Sequence, residues 1–415
     1  MRIAIVGSGI AGNVVAGRLH GSHDITVFEA AGHVGGHSHT HAIELGGERH
    51  AIDTGFIVFN HRTYPHFVAL LAELGVPSQA SSMSFSVRSE ASGLEYNGTS
   101  LDGLFAQRRN LLRPSFLRML ADIARFNREA PELLGAAEEI SLQAYLREKR
   151  YSAAFIGDYL VPMGAAIWST APARMLAFPA RFFVRFLHNH GMLSVNDRPV
   201  WHVVRGGSAR YVERLVAPFR DCIRLNTPVR TVRRTAGSVI VNGEHFHHVF
   251  FACHADQALA LLDDATPRER EVLGAFPYQE NEAVLHTDTS LLPRARRAWA
   301  AWNYHLPREA GSRVALTYNM NILQTLSSRE TFCVTLNRTA DIDPRRILKR
   351  ITYHHPLFTR AAISAQQRQH EINGERRAWF CGAYWRYGFH EDGVVSALAA
   401  LRHFEQRATE GRLAA

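Results

Sequence analysis

The chain has 415 residues and a formal net charge of +9, with 46% hydrophobic and 20% charged residues. This length predicts two packed domains, and the composition is that of an ordinary globular protein. No run of 18 apolar residues lacks a charge, which excludes a membrane-spanning helix, and nothing resembles a nucleic-acid-binding motif.

The cysteines and the basic residues limit the function further. Four widely spaced cysteines indicate neither a disulfide framework nor a cysteine metal site. Two of the 47 basic residues are lysines, Lys149 and Lys349, and the rest are arginines. This excess of arginine reflects either genome composition or an anionic partner, such as a nucleotide cofactor, an acidic membrane surface or both.

The N-terminal residues predict a strand, a glycine loop, a helix and a second strand. The strands are expected over 2–6 and 25–29, with the helix over 13–19 between them. Because the chain runs from Met1 directly into a strand, it has no signal-peptide pattern, and we expect a cytoplasmic protein. Further elements are expected as helices over 101–135 and 141–195, strands over 224–241, a strand at 249–252 followed by a helix over 255–262, alternating strands and loops over 283–335, a helix over 344–352, a strand at 378–381 and a closing helix from 394 onward.

The glycine loop has the spacing of a dinucleotide-binding motif. Gly7 permits the tight turn, Gly9 lets the backbone approach a pyrophosphate, and Gly12 lets the helix pack closely on the strand. The helix N-terminus then directs amide donors at the phosphate. Glu29 ends the second strand, where a carboxylate accepts hydrogen bonds from the adenosine ribose and repels a 2′-phosphate. The alternative is a glycine-rich turn without a nucleotide.

The residues after Glu29 indicate which dinucleotide is bound. Gly35-Gly36-His37-Ser38-His39-Thr40 resembles the Glu-x5-Gly-Gly-Arg-x-x-Thr extension of flavin-containing amine oxidases, carotenoid desaturases and protoporphyrinogen oxidases. The resemblance implies FAD, with the extension touching its ribose and pyrophosphate. His37 stands where the superfamily has arginine. A neutral histidine still donates a hydrogen bond but contributes less charge.

Later segments resemble the same superfamily and extend the resemblance over the whole chain. They are Asp53-Thr54-Gly55 near the flavin, Arg205-Gly206-Gly207 leading back into the FAD domain, 228–232 with Val229 at the adenine, and Gly382 with Glu391-Asp392-Gly393 as the C-terminal flavin loop. The residues that the motifs and the resemblance assign to FAD are Gly7, Gly9, Ile10, Ala11, Gly12, Glu29, Ala30, Gly35, Gly36, His37, Thr54, Gly55, Val229, Gly382, Glu391, Asp392 and Val394.

The resemblance implies an α/β fold, α+β overall, with a glutathione-reductase-like Rossmann domain for FAD and a substrate domain of helices and a sheet. The FAD-binding domain is expected to be discontinuous, over 1–80, 196–262 and 371–415. The substrate or cap domain is expected over 81–195 and 263–370.

Three segments resemble a narrower group. Residues 104–113, 166–170 and 388–393 are similar to bacterial amine-oxidase-like flavoproteins that accompany cyclopropane-fatty-acyl-phospholipid synthases and related lipid methyltransferases. The resemblance implies an FAD-dependent dehydrogenase or desaturase of a phospholipid-linked acyl chain, methyl-branched or cyclopropane-related, with a lipid methyltransferase as partner. Because fold does not fix function, two alternatives stay open. One is an amine or polyamine oxidase that releases hydrogen peroxide, and the other is a flavin-bound partner protein without catalysis.

Few residues are candidates for the chemistry. Many amine oxidases place a lysine near flavin N5, but Lys149 and Lys349 lie in charged runs typical of solvated helix faces. His390 is predicted as an acid/base beside the flavin, and the alternative is that residues 390–392 cap the C-terminal helix and bind the ribityl chain. Tyr318 is the second catalytic candidate, in an aromatic segment as typical of a pocket wall as of a core.

Two further patterns concern metals and lipids. His37, His39 and His41 would share one face of a strand, as metal ligands can, but the glycines before them favour a cofactor loop, so no metal is predicted. Residues 105–126 form a basic amphipathic segment, typical of a helix on the inner face of an anionic membrane or of one packed on its own domain. The phenylalanines of 178–186 fit an acyl tunnel or a core.

Overall fold

The computed structural model describes residues 1–136, 139–194, 198–308 and 313–409. Strands and helices occur throughout these ranges, with helices and no strand over 101–189. The strands are β1 (Arg2–Val6), β2 (Asp24–Phe28), β3 (Thr40–Leu45), β4 (Glu48–Asp53), β5 (Val58–Asn60), β6 (Ser78–Ser81), β7 (Phe85–Ser89), β8 (Glu95–Asn97), β9 (Trp201–Val204), β10 (Ile223–Arg224), β11 (Val232–Arg234), β12 (Val239–Val241), β13 (Glu244–Phe246), β14 (His248–Phe251), β15 (Tyr278–His286), β16 (Trp302–Leu306), β17 (Leu316–Asn319), β18 (Cys333–Leu336), β19 (Ile347–Pro356) and β20 (Ala378–Phe380).

The helices range from single turns to one of five turns. They are α1 (Ile10–Leu19), α2 (Pro65–Glu73), α3 (Leu101–Leu104), α4 (Pro114–Glu129), α5 (Leu142–Glu148), α6 (Ala153–Phe155), α7 (Val161–Trp168), α8 (Pro172–Met175), α9 (Ala180–Asn189), α10 (Ala209–Val216), α11 (Ala255–Leu261), α12 (Pro267–Leu273), α13 (Met320–Leu323), α14 (Arg360–Gln366), α15 (Gln369–Ile372) and α16 (His390–Thr409). A π-helical turn over Ile156–Leu160 joins α6 to α7. None of the described helices is both long and apolar enough to cross a membrane.

A five-stranded parallel sheet with the order β10-β2-β1-β14-β20 forms the centre of the first domain. Ile3, Ala4 and Ile5 of β1 are fully buried. Such continuous apolar strands are typical of a parallel sheet covered on both faces. Here α1, α10 and α16 cover one face, while α11, α12 and the antiparallel β11-β12-β13 sheet cover the other. The fold class is therefore α/β, as the sequence predicts.

The ends of these strands locate the site. Gly7, Glu29, Ala252 and Gly382 follow or closely follow β1, β2, β14 and β20, so they meet at one edge of the sheet. In open α/β sheets, ligands bind outside the carboxyl ends of the strands.

The cap is built on a seven-stranded mixed sheet with the order β19-β15-β18-β17-β16-β7-β8. β16 pairs in parallel with β7, and the other neighbouring pairs are antiparallel. The helices α4 and α9 bury Phe116, Phe126 and Phe183 in the core that they share with this sheet. Two small sheets, β3-β4 and β5-β9-β6, complete the fold.

Two expectations differ from the structure. Residues 344–352 were predicted as a helix, but β19 covers Ile347–Pro356 and pairs with β15 along most of its length, because this tertiary pairing outweighs the local helical pattern. The predicted cap also includes α12 and α14, whose buried side chains share a core with Val6 and Phe251 of the parallel sheet. By packing, these helices belong to the first domain.

Candidate functional site

A cavity of about 1140 Å³ lies between the carboxyl edge of the parallel sheet and the cap. Single small-molecule sites usually occupy about 300–1,000 Å³, so this cavity has room for more than one small ligand. Some of the residues that line it are exposed to solvent, and they lie at two ends of the cavity. At the dinucleotide end they are Pro228, Gln257 and Ala260; at the cap end they are Gly98, Thr99, Arg198 and Val200.

The glycine loop and the start of α1 form one wall. Gly7, Gly9, Ile10 and Ala11 line the cavity. Gly9 is the N-cap of α1 and offers no side-chain acceptor to the first amides of the helix, and a Cβ atom added there would meet no described atom within 4 Å. Open space beside unsatisfied helix amides fits a pyrophosphate. Gly12 faces away from the cavity, where an added Cβ would lie 2.0 Å from the carbonyl oxygen of Gly7.

Glu29 and Ala30 line the cavity beside this loop. The Glu29 carboxylate accepts hydrogen bonds from the amide and hydroxyl of Ser8, at 2.9 and 2.6 Å, and from the amide of Ala31 at 2.8 Å. A carboxylate has about four acceptor positions, so Glu29 can still accept one hydrogen bond from a ribose hydroxyl.

Gly35, Gly36 and His37 line the next part of the wall. The His37 ring stacks on Tyr353 with 4.8 Å between ring centroids. Burial lowers the pKa of His37 to about 4, so the imidazole is neutral at pH 7 and offers an N–H group in place of a charge.

Three more histidines share the cavity wall with His37. They are His254, which follows β14, and His354 and His355 on β19; the rings of His254 and His355 lie 6.4 and 5.6 Å from that of His37. Nothing in the sequence indicates this cluster, because the start of β19 has a helical pattern and because the members of the cluster are far apart in the chain.

The remaining predicted FAD residues divide between the wall and the layer behind it. Gly55, Val229 and Gly382 line the cavity. Thr54 lies behind the wall, where its hydroxyl is 2.8 Å from the Tyr353 hydroxyl and so supports the ring on which His37 stacks. Val394 packs in the core between α16 and the parallel sheet.

His390 lines the cavity at the start of α16. Its ring stacks on Phe56 with 3.7 Å between centroids, and its Nε2 atom lies 2.8 Å from the Tyr211 hydroxyl. Burial lowers the pKa of His390 to about 3, so the ring is uncharged at neutral pH. These contacts favour a structural role for a side chain predicted as an acid/base.

The two carboxylates after His390 face away from the cavity. Glu391 accepts hydrogen bonds from the amides of His66 and Phe67 at the start of α2, at 3.0 and 2.9 Å. Asp392 accepts from the amides of Phe389 at 2.9 Å and Tyr387 at 3.2 Å, which lie immediately before α16. Both side chains therefore have helix-terminal partners that account for them without a cofactor.

The wall at the cap end is apolar and aromatic. Tyr318 lines it, 5.2 Å from Trp302 between ring centroids, and burial raises the pKa of the Tyr318 hydroxyl, which therefore stays protonated. Of the phenylalanines at 178–186, Phe186 lines the cavity. The other large apolar wall residues around this end include Met163, Ile167, Trp168, Met192, Tyr387 and Phe389, with Tyr159 from the π-helical turn.

His190, at the end of α9, is a wall residue that no sequence motif predicts. Its Nδ1 atom lies 2.9 Å from the carbonyl oxygen of Phe186. A carbonyl only accepts, so Nδ1 carries the hydrogen, and Nε2 of the neutral ring keeps a free lone pair. Burial lowers the pKa of His190 to about 4.

Charged side chains are scarce in this wall. Among the described residues, Glu29 is its one carboxylate and Arg198 its one arginine, with no lysine. Lys149 lies 3.8 Å from Glu132 on the surface, and Lys349 is exposed on β19.

Three histidine rings lie close together beside the glycine loop. The ring of His39 lies 4.0 Å from that of His33 and 4.1 Å from that of His41. Within the described part of the chain, no group of three or more histidine, cysteine or acidic side chains is arranged to hold a metal ion.

Comparison with known proteins identifies the family to which the chain belongs. The family model for flavin containing amine oxidoreductases matches residues 10–279, more than half of the chain. No curated protein sequence matches significantly. Cyclohexylamine oxidase from Brevibacterium oxydans is a similar solved structure, with a TM-score of 0.68, 15% sequence identity, and coverage of 97% of this chain and 99% of that one.

Two more similar structures show how varied the proteins on this fold are. Putrescine oxidase bound to putrescine has a TM-score of 0.66, 15% identity and coverage of 98% and 99% of the two chains. The CLA-producing fatty acid isomerase of P. acnes has a TM-score of 0.64, 14% identity and coverage of 97% and 98%. The structural likeness gives the fold, and the family match gives the cofactor class: the chain belongs to the flavin-containing amine oxidoreductase family and is an FAD-dependent oxidoreductase.

Proposed function

We propose that this protein dehydrogenates a phospholipid-linked fatty acyl chain, methyl-branched or cyclopropane-related. The observation that carries the proposal is the cap end of the cavity. Its described wall is mostly aromatic and aliphatic, without a carboxylate, and Arg198 lies at its exposed rim.

The apolar wall suits an acyl chain better than a cation. Each methylene moved from water into such a wall contributes about 0.8 kcal/mol. An ammonium group would instead lose its hydration without meeting a carboxylate, because Glu29 lies at the other end of the cavity.

Arg198 suits the anionic head of such a substrate. Its Nε–H donates to the Ser194 carbonyl at 2.9 Å, which orients the guanidinium on the exposed rim. A guanidinium pairs with phosphate or carboxylate oxygens through paired N–H donors. The head group would then stay at the rim while the chain extends inward past Trp302 and Tyr318.

The reaction requires one hydride and one proton to leave neighbouring carbons, so that a double bond forms between them. When bound, the flavin supplies the two-electron acceptor. In this proposal His190 takes the proton, since its Nε2 lone pair is free and its lowered pKa keeps it unprotonated at neutral pH. Trp168 and Phe186 lie against each other, with 4.7 Å between ring centroids, and make this part of the wall apolar.

Replacing His190 by phenylalanine tests its role. His190→Phe preserves the stacking on Phe186 and removes Nε2, so we expect flavin reduction at saturating substrate to slow by about 100-fold or more, with little change in substrate affinity. His188→Phe, on the same helix but exposed, is the matched control and should reduce at the wild-type rate. Equal rates for His190→Phe and the control would remove His190 from the mechanism.

The substrate class is tested by anaerobic flavin absorbance. Phospholipids with unsaturated, methyl-branched or cyclopropane chains should bleach the oxidised flavin band, and their rates rank them. The second candidate is an amine oxidase, favoured by the family and by aromatic rings such as Trp168 and Trp302 that could hold a cation. Bleaching by amines alone, with hydrogen peroxide formed on aeration, would replace our proposal. A flavin that neither class bleaches would favour a non-catalytic partner of a lipid methyltransferase.

A further inference from the structure

We infer that the cap end of the cavity is surrounded by a surface that docks on an anionic lipid bilayer. This docking surface consists of Leu101, Leu111, Leu112, Leu117 and Val200 with Arg108, Arg109, Arg118 and Arg198. The inference deepens the proposed function, on which it rests, by naming the bilayer as the source of the acyl chain.

The exposed apolar side chains of the protein are concentrated here. Six large apolar residues are exposed among those described, and five belong to the docking surface. Leu112 is 87% exposed, Leu101 75% and Val200 64%. Single exposed leucines are ordinary, but a group of them indicates an interaction site. The sixth, Leu225, follows β10 in the other domain.

The local structure explains why these leucines face outward. α4 buries Phe116, Met119 and Phe126, so the amphipathic helix predicted at 105–126 packs mainly on its own domain. The leucines belong instead to α3, to the first turn of α4 and to the 3-10 turn Arg108–Leu112 between them. Asn110 fixes that turn, because it is fully buried and its amide group donates to the Glu95 carbonyl at 3.2 Å.

The docking surface borders the cavity on two sides. Gly98 and Thr99 are exposed wall residues, and Leu101 follows them immediately. Arg198 and Val200 are exposed wall residues from a different segment. An acyl chain that leaves a bilayer touching this surface therefore meets the cavity without crossing water.

The charge of the surface selects an anionic bilayer. Residues 98–118 contain four arginines and one carboxylate, Asp102, which pairs with Arg108 at 2.5 Å. Arg118 pairs with Asp122, the next carboxylate along the chain, at 3.4 Å. Arg109 donates to the Gly93 carbonyl at 2.8 Å and remains exposed. Arginines beside exposed leucines are typical of interfacial membrane binding. The cores of protein–protein interfaces are instead depleted of charge and rich in aromatic residues, which this surface lacks among its described exposed side chains.

Vesicle sedimentation of the full-length, FAD-loaded protein tests the inference. Wild-type protein should bind vesicles of phosphatidylcholine mixed with phosphatidylglycerol. Binding to these vesicles should weaken in high salt, and binding to vesicles of phosphatidylcholine alone should be weaker still. Leu111→Ser with Leu112→Ser should lower binding about tenfold or more. Leu225→Ser is the matched control and should bind as wild type, because it exposes a leucine outside the surface.

The charge is tested separately with Arg108→Gln and Arg109→Gln, against Arg233→Gln as an exposed arginine on β11. The first pair should weaken binding to the mixed vesicles, and the control should not. Absence of wild-type binding to either vesicle overturns the inference, as does equal binding by the Leu111/Leu112 and Leu225 variants. A wild-type protein that ignores vesicles but forms a complex with a lipid methyltransferase would make this a protein-binding surface.

Flavin reduction by detergent-dispersed acyl substrate separates the two proposals. The Leu111/Leu112 variant should be reduced as fast as wild type by dispersed substrate and more slowly by substrate in vesicles. If dispersed acyl substrates fail to reduce even the wild type while vesicles still bind, the docking surface stands and the acyl dehydrogenase proposal falls.

Discussion

Gly9 and Gly12 differ in what a side chain would meet, and this difference separates cofactor binding from folding. A Cβ at Gly9 meets open cavity, and the backbone there has a φ of −68°, which any residue adopts. A Cβ at Gly12 lies 2.0 Å from the Gly7 carbonyl oxygen. Gly9→Val should therefore fold normally and lose FAD affinity by tenfold or more, which is about 1.4 kcal/mol.

Gly12→Ala is the contrasting variant. We expect it to lower the thermal midpoint of the protein and its soluble yield, since a backbone carbonyl cannot move away as a flexible side chain can. Flavin fluorescence on dilution measures retention, and circular dichroism measures folding. A Gly9→Val protein that keeps wild-type FAD affinity would contradict the placement of the pyrophosphate at this loop.

At the same scale, the sequence predicted some wall residues and missed others for a physical reason. Gly7, Gly9 and Glu29 lie in one local unit, so a short motif was enough to find them. His190 and His254 reach the cavity from separate elements, and a lone histidine carries no local signal of the wall it joins. For the same reason Glu391, two residues before Gly393 on the wall, was expected to face the cofactor but caps α2 instead.

Among the secondary-structure elements, α16 begins beside a titratable group, the carboxyl group of Asp392. Burial raises the pKa of Asp392 to about 7, against about 3.9 for an unfolded aspartate, although the Phe389 amide and Arg386 oppose the shift. Folding therefore favours the protonated acid. The stability that this preference contributes is complete below pH 4 and is lost as the pH rises to about 7.

Asp392→Asn should remove this pH dependence, because an amide side chain does not titrate. Its oxygen can still accept hydrogen bonds from the Phe389 and Tyr387 amides, so the cap is kept. The free energy of unfolding of wild type relative to the variant should fall between pH 4 and pH 7, by up to about 4 kcal/mol at 1.4 kcal/mol per pKa unit. Thermal or urea unfolding at several pH values measures it. Asp343→Asn is the control, because hydrogen bonds from Arg345 lower the pKa of the half-buried Asp343 to about 2, and this carboxylate stays charged across the window. Parallel curves for wild type and Asp392→Asn would show that the carboxylate is ionised throughout.

Elements with a strong local signal were predicted more accurately than those set by tertiary pairing. β1 occupies the predicted residues 2–6, because an apolar run before a glycine loop has few other solutions. β19 was missed because Ile347–Pro356 has the charge pattern of a helix, and its pairing with β15 is invisible in the sequence. That strand carries His354 and His355 to the cavity, so one wrong element also hid two wall residues.

For the whole molecule, the first domain is discontinuous in the sequence, so composition alone does not show which residues belong to it. The parallel sheet collects strands from both ends and the middle of the chain, and the cavity forms where this sheet meets the cap. The superfamily motifs therefore indicated the two-domain plan, since they mark the returns of the chain to the first domain. They gave no signal for α14, which lies within the predicted cap sequence but packs on the parallel sheet.

Because lysine is scarce in this chain, two substitutions are enough to test whether any lysine takes part in the reaction. Lys149 and Lys349 are the only lysines in the sequence, and neither lines the cavity. A protein with Lys149→Arg and Lys349→Arg keeps its net charge and contains no lysine. We expect it to hold FAD, to melt within about 2 °C of wild type as surface substitutions usually allow, and to show the wild-type rate of flavin reduction in anaerobic stopped-flow experiments. If the lysine-free protein folds and binds FAD but is reduced more than tenfold more slowly, a lysine ammonium must reach the flavin during turnover. The cap would then have to move substantially from the arrangement described, and an amine-oxidase-like mechanism would displace dehydrogenation of an acyl chain.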